Sequence, residues 1–256
     1  MGSLYPVLIK IGPVAVYSWG FMLAVAVIVA IVGARALMRK EGWDEDMVLD
    51  LVLVMVLAGL LGARLLYVFI YERELFLKPL LIFLPGPNGF AGLVWYGALF
   101  GGFLGLVIYV WKKRLPFWKL ADIFSPFAAL GYAIVRIGCF LAGCCYGKVC
   151  TSVTGVVFPL VDYLPRHPTQ LYSSGINMLI FLFLIWFYPR KKFPGQVFLL
   201  YLLLYSLYRF ILEFFRANLV MYGPFSTSQT YSLILFTLAA VLYYLRLRKY
   251  HKVKEE

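Results

Sequence analysis

Seven stretches of the chain are apolar over about the 20 residues that a helix needs to cross a hydrocarbon core: 14–38, 47–71, 91–111, 121–143, 168–188, 195–215 and 226–246. A β-barrel would show short alternating segments in their place. The pattern predicts an all-α, polytopic membrane protein with seven transmembrane helices. The first apolar run is too long for the core of a signal peptide and no small-residue cleavage site follows it, so the first helix is read as permanent. No repeat or domain boundary interrupts the pattern. The reading is a single transmembrane domain over 1–256, with a short outer loop at 144–167 and a basic cytoplasmic tail at 246–256.

Composition agrees. Of 256 residues, 63% are hydrophobic and 14% charged, against about 25% charged in an ordinary soluble domain. A net charge of +12 would raise nucleic acid as a partner for a soluble chain, but the placement of the charges argues for topology. The segments after the first, third and fifth helices, with the C-terminal tail, hold fourteen Lys and Arg; the alternate segments hold six. The positive-inside rule then puts the N-terminus outside and the C-terminus in the cytoplasm. No nucleic acid is expected as a partner, and the tail can touch anionic lipid.

Four basic residues fall inside helices: Arg35, Arg64, Arg136 and Arg209. Arg35 is one turn from a cytoplasmic end and can snorkel. The other three sit in the outer portions of the second, fourth and sixth helices. An arginine at the membrane centre costs at least about 2.5 kcal/mol and usually faces a partner, a cavity or a substrate. Glu213 is four residues after Arg209 on the same helical face, and Arg216 extends that face. Guanidinium matches phosphate through bidentate hydrogen bonds, so the cluster predicts a phospholipid head group as ligand. Tyr67 shares the face of Arg64, Tyr132 precedes Arg136 by four, and Tyr96 opens the third helix at the same level. His167 stands between turn-forming residues in Pro-Arg-His-Pro-Thr-Gln-Leu-Tyr (165–172).

Cys139, Cys144, Cys145 and Cys150 fall within twelve residues. They lack Cys-x-x-Cys spacing and have one histidine near, so no metal and no cofactor is expected. A disulfide formed in an oxidising compartment is the plainer reading, and a reactive thiol beside Arg136 the sharper one; both stay open.

Taken in order, several motifs resemble the bacterial prolipoprotein diacylglyceryl transferases. They are Gly-Pro-Val-Ala-Val-Tyr-Ser-Trp-Gly-Phe-Met (12–22), Leu-Gly-Ala-Arg-Leu-Leu-Tyr (61–67), Tyr-Gly-Ala-Leu-Phe-Gly-Gly (96–102), Arg-Ile-Gly-Cys-Phe (136–140), the run at 165–172, Tyr-Arg-Phe-Ile-Leu-Glu-Phe-Phe-Arg (208–216) and Ser-Thr-Ser-Gln (226–229). The resemblance implies a multi-pass enzyme of the bacterial cytoplasmic (inner) membrane. Such an enzyme moves the diacylglyceryl group of phosphatidylglycerol to the lipobox cysteine of a lipoprotein precursor and releases glycerol phosphate. It implies Arg136 and Arg209 as the essential arginines; His167, by its place near the arginine level, and Tyr96, which stands where the family usually has histidine, are the further catalytic candidates. Arg64, Tyr67, Gln170, Tyr172, Glu213, Arg216 and Gln229, all inside the matching motifs, and Gly147 in the altered stretch 142–148, are read as substrate-binding residues. The chain departs from the family at Tyr96 (usually histidine), Trp19 (tyrosine), Cys139 (asparagine), Ser173 (glutamate), the stretch 142–148, and Ala-Asn after Arg216 where Pro-Asp usually follows one residue later. The phosphate-binding residues are kept while the surroundings of the attacking thiol change, which raises a paralogue with another acceptor as an alternative. A non-enzymatic protein that binds or transports anionic lipid is the other alternative.

Overall fold

Inside hydrocarbon a backbone N–H has no water to bond, so an apolar run of this length satisfies itself as a helix. The computed structural model describes residues 5–11, 14–74, 95–151, 153–159, 161–217 and 221–255. Among the described residues there are seven α-helices: α1 (Ser18–Lys40), α2 (Met47–Tyr71), α3 (Trp95–Lys112), α4 (Phe117–Leu141), α5 (Thr169–Phe187), α6 (Gln196–Leu212) and α7 (Thr227–Glu255). Six are long and apolar enough to cross a membrane; the described apolar stretch of α3, Phe100–Lys112, is shorter. Only 11% of the α7 window and 17% of the α1 window are buried inside the protein. Helices this apolar with so little buried surface present their side chains to lipid, as in a multi-pass membrane protein.

Within the described residues, three helix boundaries differ from expectation by four residues or more. The first helix starts at Ser18, because Val14–Tyr17 forms strand β2, paired antiparallel with β1 (Val7–Ile11). Two valines and a tyrosine in four residues favour extended backbone. Ser18 fixes the junction by donating to the Pro6 carbonyl from its backbone N (3.0 Å) and its Oγ (3.3 Å). The fourth helix starts four residues early, at Phe117, and takes in Lys119. The last helix continues through the basic segment after 246 to Glu255. Arginine and lysine are good helix formers, and their charge suits a helix C-terminus.

The chain divides into two compact units, Met1–Ala34 with Trp118–Glu256, and Arg35–Phe117. In the second, α2 and α3 touch backbone to backbone. A Cβ built on Gly101 would overlap the Ala58 carbonyl oxygen and one on Gly62 the Gly97 carbonyl oxygen. Small residues at this spacing let membrane helices approach closely. Gly101→Val is expected to separate the pair, costing about 1–3 kcal/mol and lowering thermal stability in detergent, whereas Gly175→Ala on α5, with open space around it and ordinary helical backbone, serves as the mild comparison. Arg35 pairs with Asp46 (2.9 Å) and Glu45 (3.6 Å), in keeping with a structural role.

In the first unit, contacts fix the direction of every helix. Asp122, fully buried near the start of α4, accepts backbone N–H bonds from Gly195 (2.8 Å) and Phe198 (3.0 Å) at the start of α6. A carboxylate at a helix N-terminus satisfies donors that have no partner within the helix. Farther along, Tyr132 of α4 meets Tyr205 and Tyr208 of α6 edge-on, at 5.8 and 6.4 Å between ring centroids. Helices α4 and α6 therefore run side by side in the same direction. The others run against them. Ser174 of α5 donates to the Ala133 carbonyl (2.9 Å), Gln196 of α6 to the Tyr243 hydroxyl of α7 (2.9 Å), and Gly138 of α4 lies against Ser18, Trp19 and Met22 of α1. One end of this unit thus gathers the starts of α1, α5 and α7 with the ends of α4 and α6.

Candidate active site

Arg136 and Arg209 both lie at that end, within the last two turns of α4 and α6. Arg136 donates to the Tyr132 hydroxyl and stands over its ring at 4.6 Å. Arg209 pairs with Glu213 and donates to Ser228 Oγ at 2.9 Å. Tyr205 is within electrostatic reach of both arginines. Glu213 is 4% exposed, accepts from Ser226 Oγ at 3.1 Å and has Arg216 Nη1 at 3.7 Å. Gln229 closes the start of α7, its Oε1 accepting from the Ser226 backbone N at 2.9 Å. A buried carboxylate holds its charge only when paired and hydrogen-bonded in this way. Three guanidiniums and one carboxylate leave an excess of positive charge, the complement of a phosphate ester.

His167 is built into this end by main-chain bonds. Gly147 N donates to the His167 carbonyl (2.9 Å), His167 N to the Lys148 carbonyl (3.0 Å) and Lys148 N to the Phe215 carbonyl (2.9 Å). Gly147 also bridges Arg216. A Cβ on Gly147 would fall 2.7 Å from the His167 Cβ and 2.8 Å from its carbonyl oxygen, so only glycine lets the three segments meet. The imidazole lies edge-on to Phe215 (5.4 Å) and its Nδ1 is 3.3 Å from the Tyr172 hydroxyl. Below Tyr172 and Phe215, an apolar groove of about 390 Å³ runs between α5 and α6 past Ile176, Ile180, Leu207 and Ile211.

The four cysteines are free thiols. Cys150 is tied by its backbone N to the Pro165 carbonyl (2.9 Å). The sulfurs of Cys139, Cys144 and Cys145 converge within 4.8 Å of one another. Sequence spacing hid this donor set, because convergence depends on two left-handed residues, Gly143 (φ 71°) and Cys145 (φ 63°). For a non-glycine residue that conformation costs about 1–2 kcal/mol. Side chains of α5 hold it: Thr169 Oγ1 donates to the Cys145 carbonyl (2.7 Å) and Gln170 Nε2 to the Cys144 carbonyl (2.6 Å). Gln170 Oε1, buried, has no hydrogen-bond partner among the described residues. The Cys145 thiol is pushed down from its ordinary pKa, first by hydrogen bonds from Cys139 and Cys144, then by the charges of Arg136 and Arg216.

The structure thus brings together Arg136, Cys139, Cys144, Cys145, Gly147, His167, Gln170, Tyr172, Arg209, Glu213, Arg216 and Gln229. Arg64 lies on α2 in the other compact unit, its guanidinium 5.5 Å from the Tyr67 ring. The Tyr96 side chain falls outside the described residues. Sequence reasoning missed the contributions of Thr169, Ser228 and Phe215. All three stand inside the quoted motifs, but their roles come from a hydroxyl, a hydroxyl and a main-chain carbonyl that reach other segments, which residue type and spacing do not announce.

The family model for prolipoprotein diacylglyceryl transferase matches residues 6–245. The chain belongs to this family. The phosphatidylglycerol–prolipoprotein diacylglyceryl transferase of Clostridium tetani is 34% identical to it over 96% of this chain and 99% of the relative. Transferase 2 of Clostridium perfringens is 35% identical over 89% of this chain and 90% of the relative. A Pseudoalteromonas atlantica transferase is 33% identical over 82% and 75%. Family membership thus spans nearly all of the chain.

Proposed function

We propose that this protein transfers the diacylglyceryl group of phosphatidylglycerol to the thiol of a lipoprotein-precursor cysteine, forming a thioether and releasing glycerol phosphate. The observation that carries the reading is the placement of Arg136 on α4 and of the buried Arg209–Glu213 pair on α6 at the same end of two parallel helices. Arg136 and Arg209 bind the phosphate and stabilise it as it leaves with the electron pair of the broken carbon–oxygen bond. Glu213 holds Arg209 in place, and Arg216 adds charge. The unpartnered Gln170 oxygen accepts a hydroxyl of the glycerol head group. The groove below Tyr172 and Phe215 takes an acyl chain, leaving the ester carbon near His167. His167 accepts the thiol proton while the sulfur forms its bond to that carbon. Arg64 and Tyr67 are read as substrate-binding and Tyr96 as catalytic on the resemblance of their motifs, and Gln229 supports the arginine site by capping α7.

The chain is read as one transmembrane domain of the bacterial cytoplasmic membrane. It has seven spans, α3 completing the count, with the N-terminus outside and the C-terminus inside. The fourteen-to-six division of loop charges supports this. A reporter fused after Lys254 is expected to read as cytoplasmic and one inserted in 148–166 as external; the reverse result would remove the outer-leaflet site as well. The activity itself is tested in proteoliposomes with phosphatidylglycerol and a lipobox peptide. Thioether product supports the reading, and head-group binding without product points to a lipid-binding protein.

A further inference from the structure

Phosphate binding does not account for three thiols gathered beside Arg136. With metal–sulfur bonds of about 2.3 Å, thiolates around one tetrahedral ion stand about 3.8 Å apart, and the three sulfurs here lie within 4.8 Å of one another. The loop that gathers them is strained at Cys145 and clamped from α5 by Thr169 and Gln170. Such cost and support accumulate at sites where geometry matters. Cys139 is buried, Cys145 half-buried and Cys144 exposed, so the cluster has a closed base and an open mouth. Arg136 is within electrostatic reach of Cys139 and Cys145, and Arg216 of Cys145. Three thiolates on a divalent ion carry one net negative charge, which these arginines balance.

We propose that Cys139, Cys144 and Cys145 ligate one zinc-class divalent ion whose open fourth position takes the acceptor cysteine's sulfur. Three protein ligands with one open position is the arrangement of catalytic rather than structural zinc, and a thiol bound to such an ion is deprotonated. The inference rests on the thiol-alkylation reading above and deepens it. The acceptor thiol gives its proton to His167 as it binds the ion. Its sulfur then forms the carbon–sulfur bond, the carbon–oxygen bond to phosphate breaks, and glycerol phosphate leaves with that electron pair. The neutral thioether, a weaker ligand, dissociates. No electron is gained or lost by the ion. The site places the attacking sulfur beside the arginine that holds the leaving group.

The test uses the full chain, purified in detergent under reducing conditions and titrated with Co²⁺ alone. A thiolate-to-cobalt charge-transfer band is expected at one ion per chain. Cys139→Ser, Cys144→Ser and Cys145→Ser each weaken binding at least roughly 10-fold, and Cys150→Ser leaves it unchanged. A lipobox peptide then intensifies the band, and its Cys-to-Ser analogue does not. Absence of the band, equal bands in all four variants, or indifference to the peptide overturns the proposal. Chelator-treated protein is expected to bind phosphatidylglycerol normally and transfer lipid at least about 10-fold more slowly. Full transfer after chelation removes the metal's role and leaves the transferase reading standing. Absence of transfer even with Zn²⁺ bound refutes the transferase reading itself.

Discussion

Arg136→Ala and Arg209→Ala are each expected to reduce lipid transfer about 10²–10³-fold, the loss seen when a preorganised donor to developing negative charge is removed. The two should fail for different reasons. Arg136 hydrogen-bonds a tyrosine hydroxyl and stacks on its ring, so its loss leaves no buried carboxylate without its partner, and the protein should fold to near-normal abundance. Arg209 neutralises Glu213, which is 4% exposed. Its removal leaves that carboxylate with Arg216 at 3.7 Å as its remaining described ion pair, and breaking a buried pair costs about 3–5 kcal/mol. Arg209→Ala should therefore lose stability as well as activity, and Arg209→Ala with Glu213→Gln should regain stability without activity. Lysine at either position keeps the charge but not the planar fork, so only partial rescue is expected. Transfer rates per folded molecule, with phosphatidylglycerol binding measured separately, check all of these. Near-normal turnover in Arg136→Ala would reduce that residue to a packing role.

The sequence showed the helices where length alone decides the outcome and misplaced their ends where another preference competes. Residues 47–71 form a helix with those same limits, because no strong strand former or loop signal interrupts them. Val14–Tyr17 is as apolar as the first turns of α1, so hydropathy could not separate strand from helix; the β-branched residues and pairing with Val7–Ile11 did. Arg209 and Glu213 were legible as partners because i and i+4 share a helical face. The contact of Gly147 with His167 and Phe215 was not, since it joins loop segments by main-chain bonds that leave no period in the sequence. The thiol cluster was hidden for a similar reason. Residues 139, 144 and 145 converge through left-handed backbone at Gly143 and Cys145, a conformation that sequence spacing does not report.

His167→Ala is expected to slow transfer by about 10²–10⁴-fold, the usual contribution of a positioned acid–base group, while Tyr96→Phe retains most activity. A phenol with an unperturbed pKa of about 10 is a poor base at neutral pH, and an imidazole starts near the working range. The geometry favours the same choice. With Nδ1 beside the Tyr172 hydroxyl and the ring edge-on against Phe215, the imidazole has a fixed orientation that leaves Nε2 available for the thiol proton. Tyr172→Phe should loosen that orientation and cause a smaller loss, in kcat rather than in phosphatidylglycerol binding. His167→Ala retains the backbone bonds to Gly147 and Lys148, so the loop should stay folded and lipid binding intact. The measurement is the transfer rate across pH for the three variants. A change in the pH–rate profile confined to His167→Ala identifies the imidazole as the proton acceptor. Full activity of His167→Ala beside an inactive Tyr96→Phe would reverse the assignment. If both variants stay active, thiol deprotonation belongs to the cysteine cluster and its ion, with solvent taking the proton.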